Sequence, residues 1–382
     1  MGLNIEESLV SFRNKKTGLG DINILDTIHK SEFKAGEIKL KNQELMHLLK
    51  IPDTEYRRHT RTSLLGILAA RQAYADAGIH ADDGIRTALV SATTVGGMDK
   101  TELDYASKNY RSGFIGTHPC GDATDKIADY LGLTGYRTTL NTACSSAANA
   151  IIYGARLIKH GMVERALVGG VDALSKFTLN GFNSLMILDQ DYCCPFDNQR
   201  KGLNLGEGAG FLVLESEDLA ASGKARKKCK LSGYANSNDA FHQTASSPDG
   251  EGAYSAMLKA LTMSGIGRED IDYINAHGTG TENNDSSEGA ALIRLFGKDI
   301  PPFSSTKPFT GHALGAAAAI EAVFSVLAIQ YGMLFPNLRF SQPIEDMELI
   351  PVTEIEEGVQ ISHVLSNSFG FGGNNSSLVF SK

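Results

Sequence analysis

Tyr136-Arg137-Thr138-Thr139-Leu140-Asn141-Thr142-Ala143-Cys144-Ser145-Ser146-Ala147 is the stretch that decides how this chain is read. A short extended run, Tyr136 to Leu140, gives way to a small-residue helical pattern from Ala147 to Lys159, with Cys144 at the junction. A thiol at a helix N-terminus meets unpaired amides and the positive end of the helix dipole. Those features are expected to stabilise a thiolate and can receive a developing oxyanion. A nucleophile is the functional reading. A buried structural cysteine among small residues would look the same in isolation, so the rest of the chain has to decide.

Outward from this junction, strands and helices alternate. Extended runs occur at Thr87 to Ser91, Ala166 to Val168, Gly210 to Leu214, Tyr273 to Ala276 and Ser377 to Phe380. Helical patterns cover Arg61 to Ala77, Tyr254 to Ser264, Ser286 to Phe296 and Ala316 to Gln330. Glycine turns are expected at Gly96-Gly97 and Gly169-Gly170. The alternation implies an α/β layered fold with buried sheets. Gly, Ser and a run of charge between Ser222 and Lys228 mark a division into two similar halves, 1–225 and 226–382. No shorter solenoid period is present.

Composition narrows the function classes. A formal charge of -8 opposes bulk nucleic-acid binding. Two basic groups stand out locally, Arg57, Arg58 and Arg61, and Lys224, Arg226, Lys227, Lys228 and Lys230. Each reads as solvated surface or as a dock for an acidic partner. The five cysteines include only one close pair, the adjacent Cys193 and Cys194, which argues against a disulfide framework and for a reducing compartment. No basic, apolar leader opens the chain, and its apolar stretches read as too interrupted by Gly, Asn or charge to span a bilayer. A soluble, cytoplasmic protein without a membrane partner is therefore expected. No phosphate-binding glycine motif is present; Gly370-x-Gly372-Gly373 comes nearest, and it runs straight into the last strand.

Two histidines complete the candidate chemistry. His277 follows the run Tyr273 to Ala276, and His312 precedes the small-residue helical pattern that begins near Ala313. Both border loops at strand ends, where α/β folds place ligands. Each alone would read as a structural hydrogen-bonding residue. They lack i, i+4 spacing and no cysteine pair supplies further ligands, so a metal is not expected.

Four segments carry a resemblance: Asn141-Thr142-Ala143-Cys144-Ser145-Ser146-Ala147; Asn275-Ala276-His277-Gly278-Thr279-Gly280-Thr281 followed by Asn284-Asp285; Ser305-Thr306-Lys307-Pro308-Phe309-Thr310-Gly311-His312 and the residues to Ala317; and Asn367-Ser368-Phe369-Gly370-Phe371-Gly372-Gly373. In this order they resemble the signatures of the β-ketoacyl-[acyl-carrier-protein] synthases, elongating type, with a Cys-His-His site. The resemblance runs from about Asn4 to Phe380. It implies the thiolase fold, with two βαβαβαββ halves in five layers, α-β-α-β-α, and subunits paired as dimers.

The resemblance also implies roles. Cys144 would take the acyl group from an acyl carrier protein, and the amides of Cys144 and Phe371 would hold the oxyanion. His277 and His312 would donate to the malonyl carbonyl during decarboxylation, and Lys307 would support them. Phe369 and Phe371 would form a mobile gate, and Asp285 and Glu321 would organise the loops. Val95 and Asp122 would belong to the acyl pocket, and Arg57, Arg58 and Arg61 to a carrier-protein dock. The implied reaction needs no cofactor and serves fatty-acid elongation or a type II polyene or polyketide pathway. The implied assembly is a homodimer, or a heterodimer with a chain-length-factor-like subunit. Two rivals are a non-catalytic partner of that kind, which would lack the nucleophile, and a thiolase using coenzyme A, which would carry a second cysteine where Phe369-Gly370-Phe371 stands.

Two departures from the family pattern carry expectations. Family members open with a strand and glycine turn ahead of the segment matching Gly2 to Glu7, so the first sheet is expected to lack a strand and to expose unpaired backbone. Within Thr117 to Asp122, the acidic Asp122 replaces an apolar or small residue. A buried carboxylate is costly unless paired, so it is expected to face an interface partner or an unusual pocket.

Overall fold

The computed structural model describes residues 1–79, 83–107, 114–222 and 227–382. Two sheets dominate. The first comprises β1 (Thr87–Ala92), β2 (Arg137–Leu140), β3 (Arg165–Asp172) and β4 (Gly208–Glu215), in the order β2-β1-β3-β4. The second comprises β5 (Lys230–Asn238), β6 (Tyr273–Asn275), β7 (Phe303–Ser304), β8 (His363–Gly370) and β9 (Asn374–Ser381), in the order β5-β9-β8-β6-β7. The two sheets share a core of three parallel strands followed by an antiparallel one: β1 with β2 and β3, then β4; β6 with β7 and β8, then β9. The second sheet carries one more strand, β5, along β9. Among the described residues no strand pairs with the corresponding outer edge of β4.

Helices fill the spaces between and around the sheets. α1 (Arg61–Asp76) and α2 (Cys120–Leu131) pack together on the outer face of the first sheet. α3 (Ser146–Lys159) follows β2 and packs on β3, and α4 (Lys176–Ser184) follows β3. α5 (Glu251–Ser264) and α6 (Glu282–Phe296) cover the outer face of the second sheet, and α7 (Ala317–Tyr331) contacts α3 as well as both sheets. The layers are α-β-α-β-α in a thiolase-type fold, with α3 and α7 in the middle.

Burial accounts for the composition of that middle layer. A helix covered on all sides must be largely apolar all round, and α7 is, apart from Glu321, Ser325 and, at its exposed end, Gln330. With Leu314 to Ala316 it makes a stretch long and apolar enough to cross a bilayer, contrary to the sequence expectation, yet most of it is buried between the sheets. Gly169 and Gly170 lie inside β3 and form no turn. A Cβ on Gly170 would stand 2.8 Å from the Cβ of Ala147 on α3, so close helix-on-strand approach requires the glycine. The expected division at 225/226, together with Lys224 and Arg226, falls outside the described residues.

Candidate active site

β2 ends at Leu140 and the chain turns through Asn141 to Ser145 into α3. Ala143 holds φ at +54°, a conformation unusual for a residue with a Cβ and costing on the order of 1–3 kcal/mol. Side chains hold the turn in place: Ser146 Oγ accepts from the Thr142 amide at 2.8 Å, and Ser145 Oγ lies 2.8 Å from the Thr142 carbonyl. The result aims Cys144 into the interior, 6% exposed.

The histidines come from the other half. His277 follows the end of β6, and Glu288 on α6 fixes its backbone by accepting from the amides of His277 (2.9 Å) and Gly278 (2.8 Å). Asp285, one turn earlier, accepts from the amides of Phe196 (2.8 Å), Thr279 (3.0 Å) and Gly280 (3.1 Å). His312 is anchored through its backbone to the segment Asn204 to Gly206. The imidazole centroids lie 5.5 Å apart at 88°. Nε2 of His312 is 3.0 Å from Cys144 Sγ, and the nearest ring nitrogens of both histidines and the sulfur lie within 4.8 Å of one another.

Lys307 lies beneath His277. Its ammonium donates to the His277 carbonyl, approaches Nδ1 of the same ring at 3.3 Å and pairs with Glu321 at 2.5 Å. A cation donating to Nδ1 leaves the ring proton on Nε2, the nitrogen available to a substrate. His312 Nδ1 has no hydrogen-bond partner among the described residues. A buried orphan lone pair is more tolerable than an orphan N–H, which again favours the proton on Nε2.

Burial governs the resting charges. It pushes the Cys144 thiol up to about 11, against the opposing pull of the Phe371 amide, the Lys307 charge and the Cys144 amide. The expectation of a thiolate at rest is therefore corrected: the helix-end amides are present, but desolvation outweighs them. Burial, reinforced by Lys307, likewise holds His277 and His312 well below the usual imidazole range, so both are neutral at pH 7. Burial also raises Glu288 to about 7.

A cavity of about 360 Å³ opens beside the sulfur, walled by Val95, Phe177, Phe182, Leu185, Leu314 and Phe371. The Phe371 ring stacks on Phe182 at 5.9 Å and 19°. A second, open groove between α2 and β2, lined by Asp129, Leu133 and Arg137 among others, holds neither a nucleophile nor an imidazole.

The two family models that match are the β-ketoacyl synthase N-terminal domain, over residues 3–220, and the β-ketoacyl synthase C-terminal domain, over residues 228–341. The chain belongs to the β-ketoacyl synthase family. It is a condensing enzyme of the β-ketoacyl-acyl-carrier-protein synthase type, with an intact Cys-His-His set. This synthase is 34% identical over 381 residues to 3-oxoacyl-[acyl-carrier-protein] synthase 2 of Staphylococcus aureus, covering 96% of this chain and 91% of that one. Among solved structures it superposes on the ishigamide ketosynthase/chain length factor with a TM-score of 0.92 and 31% identity, covering 99% and 95% of the two chains. A type II polyketide ketosynthase, solved with its acyl-carrier protein and bound to a hexaketide, matches with a TM-score of 0.86 and 25% identity, covering 100% and 95%.

Several predicted site residues fall elsewhere in the synthase. Arg61 is buried, with its guanidinium on Glu207 at 2.6 and 2.8 Å and on the carbonyls of Ile38 and Leu40, so it is not part of a surface dock. Arg57 and Arg58 end a short 3-10 turn and are exposed, whereas Arg61, after extended His59 and Thr60, begins α1. Asp122 does not line the cavity; it occupies the first turn of α2, 3.9 Å from Lys126. Phe369 lies in β8 with its ring 5.8 Å from that of His277, while Phe371 alone of the pair occupies the turn after the strand. Sequence reasoning passed over Glu288, although it stands one turn beyond Asp285 on the same helix. It also passed over Asp172, the buried carboxylate that gathers Thr93, Thr94 and the Gly315 amide. No motif marked that residue.

Proposed function

We propose that this synthase elongates an acyl chain carried on an acyl carrier protein, with malonyl carrier protein as the two-carbon donor. The observation that carries the reading is the convergence of Cys144 Sγ and two neutral imidazoles on one small volume, beside an apolar cavity. Sγ attacks the acyl thioester, and the amides of Cys144 and Phe371 stabilise the tetrahedral oxyanion. The carrier thiolate departs with the proton the thiol loses. Malonyl thioester then places its carbonyl oxygen between Nε2–H of His277 and Nε2–H of His312. Carbon dioxide leaves, and the resulting enolate carbon attacks the acyl group on Cys144. Collapse of the second tetrahedral intermediate releases the β-ketoacyl carrier protein and returns the sulfur as thiolate, which takes up one proton per turnover.

Cys144 and both histidines argue against a chain-length-factor-like role for this chain itself, and Phe369-Gly370-Phe371 argues against a thiolase. Three phenylalanines around the cavity, Phe177, Phe182 and Phe371, favour planar, unsaturated acyl chains, and so a polyene or polyketide pathway over saturated fatty-acid elongation. The similarity to a ketosynthase solved with a chain length factor supports a dimer, homotypic or with such a subunit. Exposed Arg57 and Arg58 would receive the acidic carrier. Free thiols throughout the chain suit a reducing cytoplasm.

Intact-protein mass spectrometry tests the reading. Wild type and Cys144→Ala are incubated with saturated and polyunsaturated acyl carrier proteins, then with malonyl carrier protein. An adduct that requires Cys144 and clears as a β-keto product is the expected result. No adduct from any donor, with or without a chain-length-factor-like subunit, would overturn it.

A further inference from the structure

The two amides assigned to the oxyanion belong to different halves: that of Cys144 follows β2, and that of Phe371 follows β8. Their separation is therefore a tertiary property, and something must hold it. Asn374, the first residue of β9, stands three residues beyond Phe371. Its Oδ1 receives Ser145 Oγ at 2.7 Å, Asn149 Nδ2 at 2.9 Å and Asn236 Nδ2 at 2.7 Å. Ser145 is the residue after the nucleophile, Asn149 lies one turn into α3, and Asn236 is on β5. Asn149 Nδ2 also reaches Thr142 Oγ1 at 2.8 Å, and Asn236 Nδ2 reaches Ser376 Oγ at 3.0 Å. One acceptor atom thus joins the strained nucleophile turn, the helix beneath it and two strands of the opposite sheet.

We infer that Asn374 is a positioning residue that sets the distance between the Cys144 and Phe371 amides, and so the strength of the oxyanion site. The inference rests on the condensing reading above. Asn374 touches no reacting atom and acts through Ser145 and the backbone of Phe371. The intervening backbone makes the need plain. Gly372 and Gly373 hold φ at +81° and +78°, a left-handed pair that gives the turn no side-chain anchor of its own. On the other side, a Cβ on Gly370 would stand 3.0 Å from the Thr142 carbonyl and 3.2 Å from the Cys144 amide, so β8 rests directly on the nucleophile turn. Phe371 is therefore held by contact on one side; on the other, Gly372 is tied to the Gln243 carbonyl at 2.8 Å and to Asn238 Nδ2 at 3.1 Å, and the Asn374 hydrogen bonds are the ones that link the turn to the nucleophile.

The test separates oxyanion chemistry from thiol chemistry. Asn374→Leu keeps the approximate size and removes the acceptor. Acylation of Cys144 by an acyl carrier protein needs an oxyanion site, whereas alkylation by iodoacetamide displaces iodide at a tetrahedral carbon and needs none. The expected result is an acylation rate lowered by about tenfold or more, through kcat with an unchanged KM for the carrier, and an alkylation rate within about twofold of wild type. Asn374→Asp retains the acceptor oxygen and should restore acylation to within about threefold. Ser145→Ala removes one of the three donors and should show the same split in weaker form, which keeps the test open if Asn374→Leu does not fold. Equal loss of both reactions, or acylation unchanged in both Asn374→Leu and Ser145→Ala, would overturn the inference. Failure of the wild type itself to acylate would instead remove the condensing reading.

Discussion

The two halves share a strand order and place their functional residues at corresponding strand ends, yet they hold them by different physics. Around Cys144 the supports are hydroxyls, side-chain amides and small residues, while a buried carboxylate of that half, Asp172, gathers Thr93, Thr94 and the Gly315 amide. Around the histidines the supports are charges: Glu288 and Asp285 gather backbone amides, and Lys307 pairs with Glu321 inside the apolar middle layer. The difference follows from the chemistry each half performs. A nucleophile needs a shaped turn that aims the sulfur at the substrate. Hydrogen-bond donors need fixed tautomers, and a buried cation fixes one.

If the division of labour is real, the half-reactions should separate on mutation. Cys144→Ala should abolish acyl transfer and condensation, a loss of about four orders of magnitude or more, while malonyl carrier protein is still decarboxylated, as measured by released carbon dioxide. His277→Ala should do the reverse, with decarboxylation lowered by roughly 10²–10³ and Cys144 acylation within about threefold of wild type. Loss of both activities in both variants would show that the halves act as one unit.

Lys307→Met probes the charged half through stability. Removing the cation leaves Glu321 buried, 2% exposed, without its partner. Breaking a buried pair this way costs about 3–5 kcal/mol, readable as a lower denaturation midpoint. Lys307→Met with Glu321→Leu should recover most of that loss, but not decarboxylation, because the His277 tautomer is then unsupported. A double variant active at wild-type rate would reduce Lys307 to a structural role.

The sequence made the layered fold, the nucleophile turn and both histidines legible, because each rests on local pattern: period in the strands and helices, small residues at a helix start, histidines at strand ends. What it hid depends on tertiary partners. Arg61 reads as one of three surface arginines until Glu207 and the carbonyls of Ile38 and Leu40, distant in sequence, are seen to enclose it. Gly169 and Gly170 read as a turn, though they mark where α3 presses on β3. Phe369 reads as part of a glycine-rich loop because β8, its strand, lacks clean alternation and is recognisable only beside β9. The resting state of Cys144 was hidden for the same reason. A helix N-terminus is visible in sequence, but the burial that outweighs it is not.

That balance gives a pH prediction. With the thiol held at about 11 by burial, alkylation of Cys144 by iodoacetamide, followed by peptide mass, should keep rising through pH 9 and level off only near 11. The folded state holds the thiol proton more tightly than the unfolded chain, so this group's contribution to stability is present below pH 9 and is lost as pH rises towards 11. The histidines behave oppositely. Their depressed values mean the unfolded chain binds protons more readily, so their contribution is present above about pH 6.5 and falls away as the solution is acidified below it. A plateau of Cys144 alkylation below pH 9 would show that the Phe371 amide and Lys307 overcome burial, and would make the first half as electrostatically driven as the second.

The smallest effect expected lies on the surface of the first half. Arg58 is exposed, forms no ion pair among the described residues and stands three residues ahead of buried Arg61. Reversing its charge should cost little stability, since exposed ion pairs are worth about 0–1 kcal/mol. In steady-state assays at low salt, Arg58→Glu should raise KM for carrier-bound substrate several-fold and leave kcat and turnover of a small thioester analogue near wild type. Added salt should narrow the gap, because screening weakens a long-range attraction between unlike surfaces and leaves the buried chemistry untouched. Equal losses with carrier-bound and small substrates would mean that Arg58 supports the fold of the first half, as Arg61 does, and plays no part in bringing the carrier to it.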